Sequence, residues 1–312
     1  MISSVFGKTK PINTVLVLSF LAVLFLLSNW WWDPDSFSLQ NLPLLFLTLA
    51  LLLLSVLLMN FVVQRNQLTA AHSYAQLFFV LYFALFSEVL RDSGALVALF
   101  FCLLALRRLI SMHSLRGIPA KVFDATLWIL VSSLFVNWTL VLLPLPMVYL
   151  YFYEPKEIRN WLVPFAAIIT FVLIGLGVSV LTGDFAALWN TYDFSELRFW
   201  TLPDWKQTAF RQGGFMLLVL VSMLLSFLKM RNTGSGRMLS LRLISVCLLL
   251  SAVLGLFWRP WEGAGLLFVF FPAAIFMSRY LETVRKVWLR DLLLWSVIAL
   301  MLGVFMADAI LK

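Results

Sequence analysis

The sequence predicts an all-α, polytopic integral membrane protein of about eleven transmembrane helices. Three observations carry this. Of 312 residues, 62% are hydrophobic and only 12% charged, far from the balance of about half apolar and a quarter charged found in soluble domains. Mean hydropathy is +0.98. The apolar residues also gather into runs near the roughly 20 residues that a membrane-spanning helix needs, which leaves no length for a sizeable soluble domain. We therefore take residues 1–312 as a single transmembrane domain.

The runs cover residues 12–32, 42–63, 74–90, 94–111, 122–136, 138–153, 160–182, 213–228, 241–257, 264–279 and 291–309. The first follows Lys8 and Lys10, is long for a signal-peptide core and lacks a small-residue cleavage site, so it is expected to stay as a helix. It ends in "SNWWWDPDSF", where aspartate and proline favour a turn. The second ends at Arg65, the third in "SEVLRD" and the fourth at Arg107 and Arg108, which face Asp124 across a short basic connection. A charge pair across that turn is the simple expectation, and an anionic-headgroup site the sharper one.

Residues 121–156 are either a hairpin of two short helices turning at Asn137 or one long broken span. Positive charge distinguishes the two, because cytoplasmic loops are enriched in Lys and Arg. With a hairpin and a cytoplasmic N-terminus, 17 of the 23 basic residues fall inside; a single span gives 12 inside against 11 outside. The hairpin is therefore expected, with eleven helices and the C-terminus outside. Gly175 and Gly177 in the seventh run, like Pro144 and Pro146 in the sixth, are of the kind that breaks helices around transported substrates, and are also common in ordinary membrane helices.

Ten of the fifteen acidic residues and nine of the thirteen tryptophans then lie on the outer side. Residues 183–212 mix aromatic and charged side chains and are expected to form an outer interfacial loop with a short helix or two in the interface. "RNTGSGR", residues 231–237, reads as a flexible cytoplasmic linker.

Phosphate-binding GxxxxGK[ST], HExxH, GxSxG and CxxC are all absent. Cys102 and Cys247 lie inside apolar runs and are expected to be packing residues; His72 and His113 fall at cytoplasmic helix ends and are expected to face water. The net charge of +8 is explained by the cytoplasmic loops and implies membrane lipids rather than nucleic acid as partner. Asp33 and Asp35 are the candidate catalytic pair, able to act as general base for a hydroxyl acceptor or, if a divalent cation is used, as its metal ligands. A helix-ending turn explains the same residues structurally. Glu88, Arg91 and Asp92 are candidate substrate-binding residues at the outer end of the third run, and structural pairing accounts for them equally well. In "WRPWEG", Arg259 between Trp258 and Trp261 can grip a phosphate while the rings support a lipid tail or a sugar, or can simply snorkel to headgroups.

The stretches "FGKTKPIN", "LLALRRLISMHS" and "KVFDATLWILVSSLF" resemble an uncharacterised family of bacterial multi-pass inner-membrane proteins, a domain of unknown function. That resemblance implies a location in the bacterial inner (cytoplasmic) membrane and no particular activity. A second resemblance, to membrane glycosyltransferases of the GT-C class, rests on Asp33 and Asp35 in the first outer loop. It implies sugar transfer from a lipid-phosphate-linked donor on the outer face in envelope glycan biogenesis; Arg259 is the candidate for the donor phosphate by its location alone. Two other classes stand beside it: a transporter or flippase for an envelope precursor or small solute, with Glu88, Arg91 and Asp92 on its path, and a non-catalytic membrane subunit of an envelope complex.

Overall fold

The computed structural model describes residues 5–183, 192, 208–229, 235–257, 263–284 and 286–310. These residues form eleven helices of ten or more residues, one in each apolar run: α1 Pro11–Trp32, α2 Leu42–Arg65, α3 Tyr74–Leu85, α4 Ser93–Ile110, α5 Ile118–Ser133, α6 Pro144–Tyr153, α7 Val163–Thr182, α8 Thr208–Lys229, α9 Ser235–Phe257, α10 Phe270–Thr283 and α11 Val287–Ile310. Proline marks several starts: Pro11, Pro43, Pro119, Pro144 and Pro164 all sit in first turns, where a missing N–H breaks no hydrogen bond. Asp92 caps α4 by accepting from the Ala95 amide at 2.9 Å. Gly117 enters α5 at φ +60°, a left-handed conformation that a side chain would strain.

Eight helices are long and apolar enough to cross a membrane, α4, α7 and α10 with the help of short helical extensions. The other three are shorter: α3 has 12 residues, α5 has 16 and α6 has 10. At 1.5 Å per residue, twelve residues reach about 18 Å, less than a full hydrocarbon core. In the region 121–156, α5 and α6 flank a 3₁₀ segment at Asn137–Leu142, two short helices in place of one long span. Gly175 and Gly177 do not break α7, which is continuous.

Burial sorts the helices into inner and outer ones. Every residue of α3 is buried, and 89% of the Gly265–Thr283 window is buried against 11% for Ile158–Thr182. The paired helices α3 and α10 thus form the centre, wrapped by α1, α2, α8, α9 and α11, while α7 rides on the rim against α5. A helix that is apolar all round and fully enclosed belongs to a core; one that is apolar and uncovered needs lipid. On α7, Leu173 is 62% and Leu181 88% exposed, which is untenable in water and ordinary in hydrocarbon. The protein is membrane-embedded.

Aromatic rings fill the centre. Tyr82, Phe83 and Phe86 meet Phe215 of α8 and Phe270 of α10 with centroids 5.0 to 6.1 Å apart. Such edge-to-face and offset pairs add to simple area burial. Cys102 and Cys247 are free and buried, with Cys102 Sγ 3.2 Å from the Ser132 hydroxyl, as packing residues should be. Where α9 passes the Gly263–Val269 3₁₀ segment, a Cβ on Gly255 would lie 2.8 Å from the Gly265 carbonyl oxygen. Gly255→Ala should therefore push the two segments apart and destabilise by about 1–3 kcal/mol; unfolding in mixed micelles measures it, and an unchanged midpoint would show that the segments separate freely.

Candidate functional site

The site is built where α1 ends. Asn29 Nδ2 donates to the Phe25 carbonyl at 2.9 Å and points to the Leu90 carbonyl at 3.5 Å, while the Ser28 hydroxyl donates to the Ser87 carbonyl at 3.1 Å. These bonds tie α1 to the 3₁₀ segment Ser87–Arg91 that follows α3. The chain then turns through Asp33, whose amide donates to the Asn29 carbonyl at 2.9 Å, into the 3₁₀ turn Pro34–Phe37. Ser36 locks that turn, its hydroxyl donating to the Asp33 carbonyl at 2.7 Å. The three tryptophans are held by rings: Trp30 by Phe37 at 5.6 Å, and Trp31 and Trp32 by Phe305 of α11 at 6.0 and 5.8 Å.

Between this corner, the start of α2 and the α3–α4 link lies a cavity of about 190 Å³. Its polar lining includes Asn29, Asp33, Ser36, Asn41 and Arg91; Phe25, Leu44, Leu45 and Leu90 supply apolar wall. The Asp33 carboxylate and the Arg91 guanidinium make no ion pair among the described residues. Arg91 instead lies over the Trp32 ring, 5.4 Å from its centroid, a placement worth about 0.5–1 kcal/mol.

The structure brings Asp33 and Arg91 to one cavity and sends their sequence neighbours elsewhere. Glu88 is turned away to Arg211 at 2.5 Å. In a 3₁₀ helix Glu88 and Arg91 would still stack at i and i+3, but a fork from another helix takes Glu88 instead. Asp92 serves as the α4 cap. Asp35 lies in the Pro34–Phe37 turn, with its side chain outside the described residues. Trp258, Arg259 and Trp261 also lie outside them, as does most of the 183–212 loop. Of that loop, Tyr192 sets its hydroxyl 3.0 Å from the Ser133 hydroxyl, and residues from Thr208 onward belong to α8. The 231–237 linker is likewise only described from Ser235, as the start of α9.

A divalent-cation role for this corner depends on its donors. A hard divalent cation wants six or more oxygens, several of them anionic. Among the described residues the cavity offers one carboxylate, Asp33, and sets the positive Arg91 beside it, and no group of three His, Cys, Asp or Glu converges. The donor set suits an anion or a hydroxylated ligand better than a cation.

Two charged groups were not legible as groups in the sequence. At the Asp33 end, Arg211 in the first turns of α8 bridges Glu88 at 2.5 Å and Asp308 of α11 at 2.9 Å, its guanidinium 5.2 Å from the centroid of Phe86. At the opposite end of α3, His72 Nε2 meets Glu282 Oε1 at 2.8 Å, and Arg279 Nη1 meets Glu282 Oε2 at 3.1 Å. The Ala70 amide also donates to Glu282, at 2.8 Å. This corrects the expectation for His72: it is 7% exposed and pairs with a carboxylate instead of facing water. His113 is exposed, as expected, with its Nδ1 3.1 Å from the Ile110 carbonyl at a helix end. The expected pair across the α4–α5 turn forms, Arg108 to Asp124 at 2.8 Å.

Lipid-exposed apolar faces, an enclosed pair of central helices and ion pairs gathered towards the helix ends together define a polytopic helical membrane protein. The chain belongs to the family of unknown function DUF6427, whose model matches residues 8–312. Comparison with curated proteins and with solved structures finds no match, so the likeness to GT-C enzymes rests on the first-loop aspartates alone.

Proposed function

We propose that the chain crosses a bacterial inner membrane eleven times with its N-terminus in the cytoplasm, and that the Asp33–Arg91 cavity opens on the outer face and binds the head of a lipid-phosphate-linked sugar. The topology draws on the charge asymmetry: Lys8, Lys10, Arg65, Arg107, Arg108, Arg116 and Lys121 all fall at the end opposite Asp33, and that basic end belongs inside. The single observation behind the site is the meeting of Asp33 and Arg91, neither of them ion-paired among the described residues, in the lining of one half-apolar cavity. At about 190 Å³, it has room for a phosphate or one sugar ring; the lipid tail would lie along the exposed apolar faces of α1 and α2.

In that role Arg91 grips the donor phosphate through paired N–H bonds. Asp33 takes the proton of the acceptor hydroxyl as its oxygen bonds to the sugar carbon. The bond from that carbon to the phosphate oxygen breaks, and Arg91 balances the charge left on the departing lipid phosphate. Arg91 thus takes the place that the sequence assigned to Arg259.

Asp33→Asn and Arg91→Gln should each abolish the envelope glycan made by the wild-type chain when they replace it in its own cells, at equal protein level. Unchanged glycan in both variants sinks the reading. A second reading, transport of an envelope precursor or small solute, is favoured by Glu88, which joins an ion-pair group at the end of a wholly buried helix rather than the cavity. There, Glu88→Gln would stop movement of the solute while Asp33→Asn would not.

A further inference from the structure

We propose that the α3–α8–α10 core conducts protons between the two ends of the bundle, independently of the cavity at Asp33. The charged groups at its ends are His72, Glu282 and Arg279, with Tyr74, Arg290 and Asp291 alongside, and Glu88, Arg211 and Asp308. Between them run buried polar atoms with no protein partner among the described residues: His72 Nδ1, Gln76 Nε2, Ser278 Oγ and Tyr82 Oη. Gln76, Ser278 and Tyr82 are each at most 1% exposed.

Their positions follow from helix register. His72 meets Glu282 and Phe83 meets Phe270, so α3 and α10 run antiparallel with residue numbers summing to a near-constant value. That register sets Gln76 opposite Ser278, one turn in from the His72–Glu282 pair. α8 adds hydroxyls on its own face towards this core, Ser226 donating to the Ser222 carbonyl at 2.7 Å and approaching the Phe276 carbonyl at 3.4 Å. Unpartnered polar atoms inside hydrocarbon cost several kcal/mol each, and proteins meet that cost with internal water. Water joining these atoms is a proton wire, and intramembrane Glu and His are the usual relays in such wires.

A proton entering at His72 passes through Glu282 to the water beside Ser278, Gln76 and Tyr82 and leaves by Glu88. Each group returns to its starting state, so no co-reactant is consumed. The rings of Phe86, Phe215 and Phe270 lie between Tyr82 and the Arg211 group and restrict the passage.

The test is the purified full-length chain in liposomes loaded with a pH-sensitive dye, with a potassium gradient and valinomycin setting the potential. Wild type should acidify or alkalinise the lumen faster than protein-free vesicles do. Ser278→Ala and Tyr82→Phe, which remove only hydroxyls, should lower the rate several-fold; Phe270→Leu should raise it. Each variant is first checked for a monodisperse peak, and Gln76→Leu replaces any that fails. Wild-type conduction that none of the hydroxyl variants lowers overturns the proposal, as does protein-free behaviour of both wild type and Phe270→Leu. Conduction by Phe270→Leu over a silent wild type supports it, with the aromatic layer as the closed gate.

Discussion

Glu282→Ala is expected to destabilise the protein by about 3–5 kcal/mol, because it strands partners that are already out of water. The Glu282 carboxylate takes hydrogen bonds from the Ala70 amide, His72 and Arg279, and the Arg279 side chain is only 9% exposed. Removing the acceptor leaves the Arg279 charge without compensation in a low-dielectric core. The loss should appear as a lower unfolding midpoint in mixed micelles. Glu282→Gln keeps an acceptor oxygen and should lose less. Pairing Glu282→Met with Arg279→Met should recover part of the loss, since the uncompensated charge goes with its partner. A double variant no better than Glu282→Ala would mean that packing, not charge, dominates here.

Arg211→Met is expected to cost about 3 kcal/mol, from two charge-assisted hydrogen bonds at roughly 1.5–3 kcal/mol each, discounted because Glu88 and Asp308 keep 25% and 36% of their side-chain surface. The guanidinium joins the link after α3, the first turns of α8 and the last turns of α11, three segments far apart in sequence. Arg211→Lys should restore only part, because a point ammonium cannot hold two carboxylates in the geometry of a planar fork. Equal stability of Arg211→Lys and wild type would show that the fork geometry is irrelevant.

The helices were legible because membrane insertion writes itself into composition: each apolar run from 12–32 to 291–309 holds one helix. The inner or outer rank of a helix was not legible. α3 and α7 are both strongly apolar and uncharged, yet one is enclosed and the other faces lipid, and an apolar residue suits protein and hydrocarbon alike. For the site, Asp33 and Arg91 could be singled out because charges beside a membrane are rare. Their meeting could not, because it depends on α1 and the α3–α4 link being bonded through Ser28 and Asn29. Arg211 was missed because the apolar run after the 183–212 loop begins only at Gly213, so the loop appeared to include the first turns of α8. His72 and Glu282 are 210 residues apart, and no local spacing signals a pair at that range.

The central claim, that the Asp33–Arg91 cavity opens on the outer face, has a direct test in Ser36→Cys. Ser36 lines the cavity, and the two native cysteines are 3% and 2% exposed, so the introduced thiol is the accessible one. Intact spheroplasts treated with a membrane-impermeant maleimide should label Ser36→Cys fully and wild type not at all. Labelling of Ser36→Cys that appears only after the membrane is permeabilised would place the cavity on the cytoplasmic side and contradict the account.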